Sequence, residues 1–255
     1  MRHASHKPTI WSLQGNLAEL RVNDLAGLLN VAQPHSGLHE MQLDGKPLSA
    51  VLLSVFRANG TDSKSWPLPL LEAYVRGNDL VATYQPTSDW PFSPQLYWQA
   101  NTFESQPGVS TALSLLVSVQ THMLDTWPNI GIESRLPLGE LLLVKSPDSD
   151  RPQFESLGHR QSIATSNDTC CIVSRFDGVP FSYVEMALPD DFRKVTMKYE
   201  GDGISLEWHL FADFLEKGVI RRARVHTALL RRENDLQTAA ACCAAARRLQ
   251  LPLTT

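Results

Sequence analysis

The sequence lacks the short motifs that mark a particular chemistry. Its 255 residues contain no GxSxG nucleophile elbow, no P-loop, no GxGxxG fingerprint and no HExxH zinc motif. The most apolar run, residues 113–119, is too short to cross a bilayer, and the N-terminus has no apolar core of the signal-peptide kind. These absences predict a soluble, cytoplasmic protein that has no membrane partner and uses no metal or organic cofactor.

An excess of one charge sign is missing as well. The formal net charge is −4 and the isoelectric point is about 6.1, which suggests neither a nucleic-acid nor an anionic-membrane partner. Basic residues do cluster between Lys217 and Arg232, where they could bind a phosphate group. Because Glu216, Glu233 and Asp235 lie beside them, we interpret the cluster as a surface ion-pair network and predict no nucleic-acid partner.

Cysteine is scarce and has no metal or redox spacing. The four cysteines form two adjacent pairs, Cys170-Cys171 and Cys242-Cys243, without a CxxC motif. Neighbouring cysteines rarely bond to each other, since the small ring strains the intervening peptide. We expect buried, reduced thiols; the alternative is a disulfide between the two pairs.

What the sequence does contain is period-two alternation. Thr111 to Met123 alternates as a strand with one buried face, and Val195 to Phe211 and Glu72 to Tyr84 each predict a hairpin. Helix is scarce, and the clearest helical segment is the alanine-rich Leu236 to Leu249, which Asn234 or Asp235 can cap. The pattern predicts a mostly β protein: a large antiparallel β-sandwich with one C-terminal α-helix.

The chain shows no convincing internal boundary. The segment PDSDRP, residues 147–152, could be a linker, but composition does not change across it, so we predict a surface loop. Residues 1–9 are predicted to be disordered. We therefore expect residues 1–255 to form a single β-sandwich domain.

Residues Gly27 to Leu48, GLLNVAQPHSGLHEMQLDGKPL, resemble the opening of galactose mutarotase-like (aldose epimerase-like) proteins. Those proteins begin with a strand, a turn through small residues and a second strand ending in an xLDG turn, here Leu38 to Leu43 followed by Asp44-Gly45. The resemblance implies a β-supersandwich with a carbohydrate-associated function. In that family a glutamate acts as base on the anomeric hydroxyl and a histidine as acid on the ring oxygen. Neither role carries over to a particular residue of this chain.

Glu207 and His209 form the candidate catalytic pair. They alternate with Leu206, Trp208 and Leu210 along one predicted strand, so they share the face opposite the apolar one. A carboxylate and an imidazole on one face can carry out acid–base proton transfer. The alternative is a simple ion pair on a solvated face.

Two further residues are candidate ligand-binding groups. Residues 81–103 interleave six aromatic residues with three prolines, which predicts two strands joined by a stiff loop. Tyr97 and Trp98 must point to opposite faces, whereas Trp90, in the turn, is the ring we expect to be exposed and able to stack on a sugar. Glu185 lies on an apolar strand; it is either solvent-exposed or a cleft carboxylate with a perturbed pKa.

These observations support two hypotheses of different classes. The first is a carbohydrate-associated β-sandwich protein, either a mutarotase-like enzyme or a degenerate sugar-binding relative. The second is a non-enzymatic protein–protein interaction module, with a protein partner or a second copy of the chain as its target. The sequence leaves open whether the protein is an enzyme.

Overall fold

The computed structural model describes residues 9–58, 65–100, 103, 106–149, 151–158, 162–164, 169–201, 203–211 and 214–249. In chain order, its strands are β1 Trp11–Gln14, β2 Leu17–Val22, β3 Leu25–Asn30, β4 His39–Leu43, β5 Lys46–Pro47, β6 Val51–Arg57, β7 Leu70–Arg76, β8 Asp79–Tyr84, β9 Phe92–Ala100, β10 Val109–Thr121, β11 Ile130–Pro137, β12 Gly139–Lys145, β13 Gln153–Ser156, β14 Ser162–Ala164, β15 Cys170–Phe176, β16 Phe181–Ala187, β17 Phe192–Glu200, β18 Gly203–Leu210 and β19 Arg221–Arg231. A 3₁₀ turn, Pro34–Ser36, precedes β4, and the helix α1 spans Asp235–Ala246.

The strands form three antiparallel sheets. The first sheet has the order β1-β2-β3-β4-β5, the nine-stranded sheet β13-β12-β15-β16-β19-β10-β9-β8-β7, and the third sheet β14-β17-β18-β11-β6. Strand makes up 60% of the described residues and helix 7%, so the predicted mostly β sandwich with one C-terminal helix is confirmed. Among the described residues, no helix is both long enough and apolar enough to cross a membrane.

The nine-stranded sheet is covered on both faces. On β15, Cys170 and Ile172 join a core shared with the first and third sheets, whereas Cys171 and Val173 pack against α1. Side chains alternate between the two faces of a strand, so alternate residues of the same strand pack into the two different cores. The consequence is that β16, in the middle of this sheet, is buried along its whole length.

The predicted local elements agree with the structure. The two hairpins are β7–β8 and β17–β18, and residues 85–91 join β8 to β9 as the expected loop. Along β9 the even-numbered residues are buried and the odd-numbered ones partly exposed, which confirms that Tyr97 and Trp98 face opposite sides. Residues 147–149, 151 and 152 connect β12 to β13. Residues 1–8 lie outside the described part of the chain, and a single domain stays a prediction.

Three details of the C-terminal region differ from expectation. Asn234 has a left-handed backbone, with a φ of 58°, and its side chain makes no capping hydrogen bond. Asp235 is buried rather than part of a surface network, because it accepts two hydrogen bonds from Arg175 and one from Ser182. Arg224 of the basic cluster is also buried. The four cysteines are buried free thiols, as predicted.

Candidate functional site

The outer face of the third sheet carries a row of polar side chains. Three successive register pairs join β11 to β18 on this face: Arg135 with Ser205, Glu133 with Glu207, and Gly131 with His209. The residues between them, such as Ser134 and Trp208, point inward to the core. Strand parity therefore brings two glutamates and a histidine onto one surface, with Glu207 and His209 together as predicted.

The two outer glutamates are largely withdrawn from solvent. Glu133 is 6% exposed and Glu207 is 7% exposed. The Ser205 hydroxyl donates to Glu133 Oε1 at 2.5 Å. His209 Nε2 lies 3.1 Å from Glu207 Oε1, and Lys198 Nζ lies 3.9 Å from Glu207 Oε2. Buried carboxylates need such partners, and this set combines groups that can give up and accept protons.

Clefts open at both ends of this row. The larger cleft has a volume of about 660 Å³ and lies beside Arg135 and Ser205, between the third sheet and the β4–β5 hairpin of the first. The smaller cleft, of about 210 Å³, lies beside His209. The volume of the larger one is within the range of small-molecule sites. Glu133 and Glu207 thus lie between the two clefts, in which a ligand can be held.

Phe56 of β6 is buried on the same face of the sheet. It pairs in register with Gly131. A β-carbon on Gly131 would lie 2.5 Å from the tip of the Phe56 ring, so only glycine leaves room for the ring in this position. The aromatic side chain is therefore held next to the His209 end of the row.

Trp90 is not where the sequence placed it. The prediction that its ring is exposed is wrong: the residue is 2% exposed and contacts Trp66 at 5.3 Å between ring centroids. Its indole Nε1 donates to the Pro128 carbonyl oxygen at 2.9 Å. Burial of a large ring with its N–H satisfied outweighs the tendency of a Trp-Pro turn to lie at the surface. Trp90 positions the 127–129 loop instead of facing a ligand.

Glu185 is also separated from the outer row. It is completely buried between the nine-stranded and third sheets, on the opposite side of β18 from Glu207. Tyr183 donates to its Oε1 at 2.7 Å, Trp208 Nε1 donates to its Oε2 at 2.7 Å, and Ser134 also donates to Oε1. Burial raises its pKa, and these hydrogen bonds only partly oppose that effect. The perturbed pKa fits the cleft alternative, but the carboxylate lies in the core.

Sequence reasoning missed two residues of the site. Glu133 alternates with Ile132 and Ser134 on β11, and the same period-two argument that selected Glu207 could have found it. Trp127 lines the smaller cleft and is 40% exposed. Its signal was the pair Trp127-Pro128, one of three Trp-Pro pairs in the sequence and locally indistinguishable from Trp90-Pro91.

This architecture is that of the galactose mutarotase-like β-sandwich. A galactose mutarotase-like protein from Lactobacillus casei ATCC 334 matches with a TM-score of 0.52 at 9% identity, over 84% of this chain and 99% of its own. A candidate aldose 1-epimerase from Klebsiella pneumoniae subsp. pneumoniae MGH 78578 matches with a TM-score of 0.51 at 12% identity, over 90% of this chain and 83% of its own. The resemblance seen in residues 27–48 is confirmed as a shared fold.

Sequence comparison adds nothing to this likeness, since no protein-family model and no curated protein matches the chain. At such low identity the shared fold does not by itself define an activity. An activity has to be inferred from the side chains on the outer face of the third sheet.

Proposed function

We propose that the protein binds a reducing sugar on the outer face of the third sheet and catalyses proton transfer at its anomeric centre. The observation that carries this is the contact of Glu207 with His209, almost buried and between two clefts. A carboxylate there can remove the anomeric hydroxyl proton while the imidazolium protonates the ring oxygen. The ring opens to the aldehyde, and closure on the other face gives the second anomer.

The surrounding residues support this chemistry. Glu133 adds a second carboxylate directly opposite Glu207, so hydroxyl groups of a sugar can donate to both. The two similar structures are described as mutarotase-like and epimerase-type proteins, which agrees with this proposal.

The test measures mutarotation of freshly dissolved α-D-galactose and α-D-glucose by polarimetry. E207Q and H209N should each reduce kcat/KM by about 10²–10⁴-fold, because each removes one proton-transfer group. Both variants should unfold at nearly the wild-type urea midpoint.

The matched control is E155Q, which makes the same change at a partly exposed glutamate on the edge of the nine-stranded sheet. It should keep wild-type kinetics. Unchanged turnover in both site variants would remove the catalytic proposal. Sugar binding without turnover in the wild type would favour a degenerate sugar-binding protein.

One observation favours the interaction module as a second candidate. Residues 122–129 and residues 214–220 are joined by hydrogen bonds between Thr126 and Leu215 in both directions. They expose a set of apolar side chains, the loop patch, formed by Met123, Leu124, Trp127, Phe214, Val219 and Ile220. Clustered exposed apolar residues are typical of interaction sites.

For this second candidate we expect the wild type to self-associate in sedimentation velocity. L124D should shift the distribution to monomer, since it places a charge in the middle of the loop patch. L71D changes an exposed leucine on the edge strand β7 and should leave association unaltered. A wild type that stays monomeric at every concentration contradicts the candidate.

A further inference from the structure

The smaller cleft carries two adjacent cationic side chains because β17 contains a bulge. Phe192 pairs with Leu210 and Lys194 pairs with His209, which leaves Arg193 as an extra residue. The bulge keeps Phe192 in the core, while both Arg193 and Lys194 are exposed and line the cleft. In a regular strand, consecutive side chains would point to opposite faces. Bulges that redirect side chains in this way often lie next to functional sites.

Arg193 is held in place by an aromatic ring. Its guanidinium carbon lies 5.2 Å from the centroid of the Trp127 ring, and Trp127 meets the edge of Phe214 at 6.4 Å between centroids. A stacked guanidinium directs its N–H groups outward in its own plane, so it can still bind an oxyanion with two parallel hydrogen bonds. Stacking also reduces the side-chain entropy that binding would cost.

The size and charge of the cleft define what it can hold. Its volume of about 210 Å³ is below the range of about 300–1,000 Å³ for sites that enclose a whole small molecule, so it suits one substituent. Arg193, Lys194 and His209 line it together. We propose that the smaller cleft binds a negatively charged substituent, a phosphate or a carboxylate, of a saccharide whose ring lies over Glu133 and Glu207.

This inference rests on the proposed function and adds a substrate class to it. Glu207 is two residues from His209 along β18, about 7 Å by strand geometry, so one sugar ring can span from the carboxylates to the cleft. The carboxylates repel an anionic group and the two cations attract it. The charge pattern therefore selects one orientation of the ligand, with its anionic end at Arg193 and Lys194.

Isothermal titration calorimetry in low-salt buffer with D-galactose, D-galactose 6-phosphate, D-galacturonate and inorganic phosphate tests this. At least one charged sugar should bind about tenfold more tightly than galactose, and added salt should reduce that preference. Which charged sugar is preferred distinguishes a phosphate from a carboxylate. The double variant R193Q/K194Q should abolish the preference. K145Q/R248Q, which removes the same charge from exposed positions elsewhere, should keep it.

Two results would overturn the inference: equal affinity for neutral and charged sugars, or a preference that survives in R193Q/K194Q. Galactose binding and mutarotation without a charge preference would leave the proposed function standing alone. If no sugar binds, inorganic phosphate decides. Binding of phosphate that R193Q/K194Q removes would support the anion site although the sugar function has failed, and absence of phosphate binding would eliminate both.

Discussion

Glu185 lies against the inner face of the third sheet and Glu207 lies on its outer face. Both are largely withdrawn from solvent. The inner carboxylate accepts hydrogen bonds from three neutral donors, on Ser134, Tyr183 and Trp208. The outer carboxylate contacts His209 and Lys198, and clefts lie at both ends of its row. The comparison teaches that burial of an acid does not identify a reactive site. Glu207 differs from Glu185 in two respects: a ligand can reach its row from the neighbouring clefts, and its partner His209 can exchange a proton.

The inner network joins the two layers of the sandwich. Glu185 and Tyr183 belong to β16 of the nine-stranded sheet, whereas Ser134 and Trp208 belong to the third sheet. Ser134 also accepts a hydrogen bond from the Leu53 backbone N–H at 3.1 Å, and Leu53 has a left-handed φ of 56°. A buried polar cluster of this kind stabilises the fold only while each of its members has a partner. We therefore interpret Glu185 as a structural residue.

Replacing Glu185 with alanine should produce the largest loss of stability. The variant leaves a cavity and removes the acceptor for three buried donors, so we expect it to lower the free energy of unfolding by about 3–5 kcal/mol. Urea unfolding followed by tryptophan fluorescence measures this. E207A, on the outer face, should cost clearly less, because its partner Lys198 is half exposed and can be solvated once the carboxylate is gone. Similar losses in the two variants would show that the faces do not differ in the way we infer.

Period-two alternation predicted much of this arrangement. It placed Glu207 and His209 on one face, and it could have added Glu133. It could not show which face of β16 meets another sheet, because both faces of that strand are buried. Nor could it separate Trp90 from Trp127, since both precede proline. Packing against Trp66, which is distant in sequence, and against Phe92 buries the Trp90 ring, whereas Trp127 stays 40% exposed.

The pH dependence of stability offers a smaller, signed test of the inner carboxylate. The folded-state pKa of Glu185 is raised from its ordinary value of 4.5, with burial as the largest cause. The stabilisation that this pKa shift contributes is fully present below about pH 4.5, where Glu185 is protonated in both the folded and the unfolded state. It is lost as the pH rises through the folded-state pKa. The stability of the wild type relative to E185Q should therefore fall with rising pH. The slope should reach up to about 1.4 kcal/mol per pH unit.

Asp235 provides the control of opposite sign in the same experiment. Burial alone would raise its pKa, but hydrogen bonds from Arg175 and Ser182 hold that pKa below its ordinary value of 3.8. Its contribution is present above that pH and is lost as the pH falls, so the stability of the wild type relative to D235N should decrease toward acid. Parallel trends for the two variants would contradict a raised pKa of Glu185 in the folded protein. Opposite trends would show that burial in the core raises the pKa of Glu185, whereas the ion pair with Arg175 lowers the pKa of Asp235.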